Sequence, residues 1–238
     1  MCRIDSNTKQ TIEHLTKKPL NKDGFRYHLK YGYPAFKSLT KYNEDSREIL
    51  EYIKNEKSNG ALNLLVFCAK NCPYMVQYVQ MPFEKENVEN YWKGNSNKSH
   101  NSIKFRDWII DDVLDYKEPR EVRLSKKCDI NELNNCLIIP AKIINVQNEK
   151  IEVSYIEYKS KNNVLNFQEK ISEIFSEFIE NPKVGDYVIK HHDYAVEKIN
   201  QDEKNKIITH LENLAEAYNN KNLKNLIPLS DKILDKLK

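Results

Sequence analysis

At 238 residues the chain exceeds the roughly 100–150 residues of one ordinary domain, so two modest domains are expected. Charged residues make up 31% and hydrophobic residues 39%, with only five glycines, a balance that suits a soluble, helix-rich protein with well-solvated faces. The net charge of +3 is the small difference between 38 basic and 35 acidic side chains and gives no electrostatic footprint for nucleic acid.

No apolar run approaches the ~18 residues needed to cross a bilayer, and the opening "MCRIDSNTKQT" lacks the hydrophobic core of a secretion signal. A cytoplasmic location without stable membrane insertion is expected. Five cysteines, Cys2, Cys68, Cys72, Cys128 and Cys136, are an odd set, and in a reducing compartment free thiols are the default over a disulfide framework. The abundant Lys and Asn read as compositional drift and carry no functional expectation.

Residues 1–125 read as helical from the period of their apolar positions. In "DSREILEYIKNEK", Ile49, Leu50, Tyr52 and Ile53 form one apolar face, and Ser46 or Asp45 is expected to cap the start by accepting from an orphan backbone N–H. "NGALNLLVFCAKNCPYMVQYVQ" is an apolar, buried segment broken at Pro73. "KENVENYWKGNS" predicts a short helix closed by Gly94 in a left-handed C-terminal conformation. "HNSIKFRDWIIDDVLDY" places Ile103, Phe105, Trp108, Ile109, Val113 and Leu114 mostly on one helical face, an aromatic stripe expected in a core.

The texture changes near residue 120. Residues 126–135 read as a linker, with one helical turn expected in "EPREVRLSKKCDINELNN". "CLIIPAKIINVQ", "KIEVSYIEYKSK" and "NVLNFQ" are Ile- and Val-rich runs with partial alternation, followed by strands through Tyr187 to Ile189 and from Tyr194 to Ile199. A five-stranded barrel over 136–200 is the natural arrangement. The remainder, 201–238, reads as a C-terminal helical tail, with Ile207, Ile208, Leu211, Leu214, Ala215 and Tyr218 at helical spacing behind an acidic start. The expected fold class is therefore α+β: a mainly helical N-terminal domain, then a small OB-like β-barrel and a C-terminal helix.

The run Cys136-Leu137-Ile138-Ile139-Pro140-Ala141-Lys142-Ile143, followed by Val184-Gly185-Asp186-Tyr187-Val188-Ile189-Lys190-His191-His192-Asp193-Tyr194-Ala195-Val196-Glu197-Lys198, resembles the HypC/HupF family of hydrogenase assembly chaperones. That family has a Cys-Leu-x-Ile-Pro-Gly-Lys-Val opening and a Val-Gly-Asp-Tyr-Val-Leu-Val-His-x-Gly-Phe-Ala-Ile-x-Lys continuation. The resemblance spans about residues 136–215. It implies a non-catalytic metallochaperone with an OB-like barrel, a HypD-like maturation protein or a hydrogenase large subunit as partner, and iron bearing cyanide and carbon monoxide as its cargo. The family's essential cysteine falls on Cys136 and its histidine on His191, which together would handle the metal, while Pro140, Lys142 and Tyr194 would contact the partner. A thiolate is a soft ligand suited to low-valent iron, and a nearby imidazole promotes its formation.

Three departures accompany the resemblance. About 135 residues precede a cysteine that is nearly terminal in ordinary members, Ala141 replaces a glycine, and Asp193 replaces another with an extra His192 beside it. His192 is expected to face solvent, with a place in a metal site as the alternative. Met1-Cys2 mimics a family start, but the residues after it do not continue the motif.

The N-terminal part offers less. "FRYHLKYGYPAFK", "CPYMVQYVQ" and "NVENYWKGNS" are similar to an uncharacterised helical family with a Tyr-Trp-x-Gly-Asn element, which implies no activity. Cys68 and Cys72 have a spacing that could supply two metal ligands, but burial is the simpler role. His28 could serve acid–base chemistry, though no matched carboxylate or nucleophile motif accompanies it. Tyr31, Tyr33 and Phe36 could line a groove or belong to a core. No phosphate-cradling loop, zinc helix or serine elbow is present. Two alternatives to the assembly factor stay open: an enzyme with its site in the helical domain, the barrel serving as a binding or oligomerisation module, and an oligonucleotide-binding barrel, which lacks the expected basic and aromatic face. The amphipathic tail "NNKNLKNLIPLSDKILDKLK" could dock on the body, bind a partner helix or lie on a membrane surface.

Overall fold

The computed structural model describes residues 21–39, 43–55, 83–113 and 128–223. Cys2, Cys68, Cys72, Pro73, Leu114, the apolar segment around Leu65 and the tail beyond Leu223 lie outside the described residues. The chain divides into two compact units, one of residues 1–91 with 117–126 and the other of residues 92–116 with 127–238. Among the described residues no helix is long and apolar enough to cross a membrane.

In the first unit, α1 (Lys22–Leu39) and α2 (Asn43–Asn55) lead to α3 (Lys85–Lys93), within which the division between the units falls. Because α2 begins at Asn43, Asp45 and Ser46 lie inside its first turn and not at the cap. The core is aromatic: Phe25 packs edge-on against Phe83 at 5.3 Å between centroids and tilts against Tyr52 at 5.9 Å. Gly24 is required by this packing, since a Cβ there would collide with the Phe83 carbonyl oxygen. His28, Tyr31 and Tyr33 are buried with these rings. Burial pushes the His28 imidazole down to about 3, so it is neutral. Gly94 follows α3 as the sequence predicts, but without the left-handed backbone, which among described glycines occurs only at Gly185.

In the second unit, α4 (His100–Trp108) passes into a π-helical turn, Ile109–Val113, so the aromatic stripe read as one helix changes its winding after Trp108. The predicted linker carries a real helix, α5 (Ile130–Cys136). Five strands follow, β1 (Ile139–Gln147), β2 (Lys150–Lys161), β3 (Val164–Phe175), β4 (Tyr187–His191) and β5 (Tyr194–Ile199), and then α6 (Gln201–Asn219). The fold is thus mixed helix and sheet with a five-stranded sheet and a closing helix. Strand order is β1-β2-β3-β5-β4, with β4 bonded back onto β1, so the ladder closes on itself. The β3–β5 contact is one parallel pair, Phe175 with Tyr194, whose rings stack at 5.1 Å. The inward face carries Ile139, Ala141, Ile143, Ile151, Val153 and Val188, all buried.

The second sequence motif has a structural logic. Gly185 takes φ +94°, a conformation that L side chains rarely adopt, and its N–H reaches the Ile143 carbonyl at 2.9 Å. Asp186 pairs with Lys198 at 2.8 Å, and that lysine holds its carboxyl below the usual carboxylate range. Asn200 then opens α6 with a reciprocal capping box to Glu203.

Where strands outrun their neighbours, asparagine amides take over. Asn134 donates to the Tyr158 carbonyl at 2.8 Å and accepts from the Tyr158 N–H at 2.9 Å. Asn219 does the same at Leu165, 2.9 Å each way, and Asn101 at Ile138, 3.0 and 2.8 Å. In each pair a primary amide stands in for a strand partner, satisfying an N–H and a C=O that would otherwise be orphaned at an edge. Asn134→Ala is expected to lower the unfolding free energy by about 2–4 kcal/mol, because two polar groups lose their bonds at once, and urea titration followed by tryptophan fluorescence measures the loss.

His210 ties α6 to α4. Its Nε2 lies 3.2 Å from Ser99 Oγ and 3.0 Å from Ser102 Oγ, and burial pushes the imidazole down to about 4. The unfolded chain, with an ordinary histidine near 6.5, binds the proton first as pH falls, so this contribution to stability is complete above about 6.5 and is lost progressively toward 4. Between pH 7 and 4 the wild type should lose about 2 kcal/mol more than His210→Gln, read from thermal or urea unfolding at each pH.

Candidate functional site

Cys136 occupies the last turn of α5 and is not the direct lead-in to a strand: Leu137 turns extended and β1 begins at Ile139. The helix forms because Asp129 caps it, accepting from the Glu132 N–H at 2.9 Å, and because Leu133 supplies its buried side. At i,i+4 spacing, Glu132 and Cys136 share a face, and Cys136 Sγ lies 3.7 Å from Glu132 Oε1.

The backbone around the thiol is pinned from the stretch that precedes it. His100 donates from Nε2 to the Cys136 carbonyl at 2.8 Å, which fixes its tautomer, and the Asn101 amide holds Ile138 two residues on. Trp92 lies against His100 at 4.5 Å and His191 at 5.6 Å, and His100 meets His191 edge-on at 5.4 Å. Beneath Cys136 the chain therefore builds a floor of one indole and two imidazoles, with His191 1% exposed.

The two-residue turn between β4 and β5 supplies the other wall. His192 takes φ 49° there, its N–H bonds to the Asn135 carbonyl at 2.9 Å, and its Nε2 stands 3.7 Å from Cys136 Sγ. The side chain expected to face solvent is half-buried against the thiol instead. Burial, with Lys190 and Lys104 adding positive charge nearby, pushes the His192 imidazole down to about 3, so it meets the sulfur as a neutral ring. Cys128, the other described free thiol, is buried and pushed upward by that burial, so it stays protonated.

Residues 136–211 match the HupF/HypC family. The matched stretch opens on Cys136 itself and takes in all five strands and the first part of α6, under half of the chain. No curated protein matches the chain.

Within this HupF/HypC stretch, Cys136 and His192 are in contact, while His191, the histidine of the motif, packs into the floor with its ring tilted against that of His192 at 4.7 Å. Pro140 is buried in β1 opposite Ile189, Tyr194 is buried at the strand junction, and Lys142 is exposed on β1. Among the described residues, no group of three or more His, Cys, Asp or Glu side chains converges as a metal site. Sequence reasoning gave no site role to Trp92, His100, Asn101 or Asn134, which lie before the motif: Trp92 shows only within the Tyr-Trp-x-Gly-Asn element, and the others only as a Ser-led helix start and an excess of asparagines.

His192 separates backbone strain from side-chain chemistry. His192→Gly should relieve the left-handed backbone, a gain of up to about 1 kcal/mol, while changing the alkylation rate of Cys136. Thermal unfolding together with iodoacetamide kinetics, resolved by peptide mass spectrometry, checks both.

Proposed function

We propose that the chain is a cytoplasmic assembly factor for nickel–iron hydrogenase, in which the closed sheet is an OB-like barrel of the HypC kind and Cys136 is the working residue. One observation carries the reading: the family match begins at the residue whose thiol the fold sets beside a neutral imidazole. The match supports a role in hydrogenase maturation, and the geometry supports Cys136 as the group that performs it.

The cargo in this reading is an iron centre carrying cyanide and carbon monoxide. A thiolate is the soft donor such a metal takes, and an imidazole must be neutral to join it. Cys136 supplies the first and His191 or His192 the second. Two side-chain donors suit a cargo that brings ligands of its own and is handed on, where a resident metal would need a closed set. The partner is a HypD-like maturation protein or the hydrogenase large subunit, met at the Cys136 end of the barrel, with Lys142 on the accessible strand face and Pro140 and Tyr194 shaping the strands behind it. The alternative of an enzyme in the helical unit draws no support from His28, which is fully buried and neutral in an aromatic core.

In a hydrogenase-competent host lacking its own HypC protein, the wild type should restore active hydrogenase and co-purify with iron and the infrared bands of bound cyanide and carbon monoxide. Cys136→Ala should do neither while keeping its circular dichroism and thermal transition. Maturation by Cys136→Ala at the wild-type level overturns the proposal.

A further inference from the structure

Strand β3 is bonded along its length on one side only. It runs against β2 from Lys150 with Phe175 to Lys161 with Val164, without a bulge. Asn162 and Asn163, at φ 52° and 58°, make the two-residue turn before it, so Lys161 and Val164 face each other directly. In an antiparallel ladder of this kind alternate residues of β3 bond inward to β2, and those between them point their N–H and C=O outward. The outward set is marked at both ends. Leu165 donates to and accepts from the Asn219 amide, and the Phe175 N–H reaches the Asp193 carbonyl at 2.8 Å.

Between those ends the outward residues are Phe167, Glu169, Ile171 and Glu173. Among the described residues nothing bonds to their outward N–H and C=O groups. Glu169, Ile171 and Glu173 are exposed, Ile171 at 56%. β3 also carries no proline. An edge of this length, without proline or bulge, is a template for another strand.

The side chains along the edge say which strand. Glu169, Ile171 and Glu173 share one face, so the edge reads acidic, apolar, acidic. Ser154 donates to Glu169 Oε1 at 2.6 Å, and Glu173 meets Lys150 at 3.6 Å in a half-exposed pair that solvent screens, so both carboxylates are oriented and still open to a cation. A second copy of the chain matches poorly. Antiparallel pairing of two such edges about a two-fold axis centred on them sets Glu169 against Glu173, Glu169 against Glu169 or Lys170 against Lys170, according to register.

We infer that the β3 edge from Phe167 to Glu173 is a docking site for an extended segment of a partner protein, in which two basic residues flank an apolar one at alternate positions. The open backbone groups bond any added strand, and the Glu-Ile-Glu face selects a basic one. The edge closes at the Phe175–Asp193 bond, so a strand laid along it ends at the turn that carries His192. The inference stands on the backbone pattern and holds whether or not iron is the cargo.

Two capped peptides, Thr-Lys-Thr-Val-Thr-Lys-Thr and Thr-Glu-Thr-Val-Thr-Glu-Thr, test this on the full chain, with amide exchange and chemical shifts read residue by residue by NMR. In the free protein the amides of Gln168, Lys170 and Ser172, which face β2, should exchange slowly, and those of Phe167, Glu169, Ile171 and Glu173 fast. The lysine peptide should slow the second set and shift its resonances. The glutamate peptide should bind about tenfold more weakly, as expected when two cross-strand charge pairs turn from attraction to repulsion. Glu169→Lys combined with Glu173→Lys should reverse that preference. Ile171→Pro removes one outward N–H and leaves the bonds to β2 in place, so it should keep its thermal transition and lose the lysine peptide. If that variant does not fold, the charge-reversed variant, altered only on the exposed face, decides alone. Slow exchange of the outward amides in the free protein overturns the inference, because the edge is then covered by this chain or, where protection grows with protein concentration, by a second copy. Equal affinity for the two peptides overturns it, as does the absence of any shift at β3. Failure of the maturation experiment with peptide binding intact would remove the iron cargo and leave the docking edge standing.

Discussion

A primary amide can present an N–H donor and a C=O acceptor side by side, as a strand residue does, and the second unit depends on that equivalence. Its sheet is irregular: β1 starts late relative to β2, and β3 meets β5 at one residue pair. Each shortfall leaves backbone groups that must find partners or be paid for in stability. Asn134 fills the gap at Tyr158, Asn219 the one at Leu165 and Asn101 the one at Ile138. The donors come from α5, α6 and α4, so the same bonds that finish the sheet also fix the three helices around it. Tyr158 reinforces this, its hydroxyl donating to the Leu211 carbonyl of α6 at 2.6 Å.

The site inherits its precision from those clamps. Cys136 lies between Asn134 and Ile138, two of the six ends of the three clamps, and His100 holds its own carbonyl. A thiol fixed from both sides has little freedom to retreat, and the β4–β5 turn then brings His192 to it through a bond to Asn135. The left-handed backbone at His192 is a cost the fold carries at this point. A neutral imidazole and Glu132 Oε1 each stand 3.7 Å from the sulfur there, so the thiol has one hydrogen-bond acceptor of each kind within reach.

Much of this was legible in the sequence where local rules suffice. The strand runs announce themselves by their Ile and Val content, α6 by its period and acidic start, and Gly185 and Asp186 by the motif that needs a left-handed turn and a partner for Lys198. Cys136 stands out because it heads a motif. The structure departs from that reading where tertiary bonds decide. Nothing local separates Asn134 or Asn219 from the other asparagines, since their role exists only once an unpaired strand edge faces them. His192 reads as a solvent residue because it follows the motif histidine in a turn, and only closure of the sheet carries that turn to α5. Lys190 sits in a run of otherwise apolar strand residues, and alternation alone does not tell which of its neighbours will answer its charge.

The boundary of the matched region gains a physical meaning from the same bonds. The family match starts at Cys136, yet the sheet unit extends back to Trp92. Detached from residues 92–113, the stretch 136–211 would lose the Asn101 clamp on Ile138, the His100 bond to Cys136, the indole against His191 and both serine partners of His210. Several polar groups buried in the whole unit would then meet water or go unpaired, each at about 1–3 kcal/mol where no water reaches it, against a total stability of about 5–15 kcal/mol for an ordinary domain. The segment before the cysteine is therefore part of the cysteine's own domain: residues 92–113 supply with side chains the support that a chain beginning at the cysteine would have to find within its sheet.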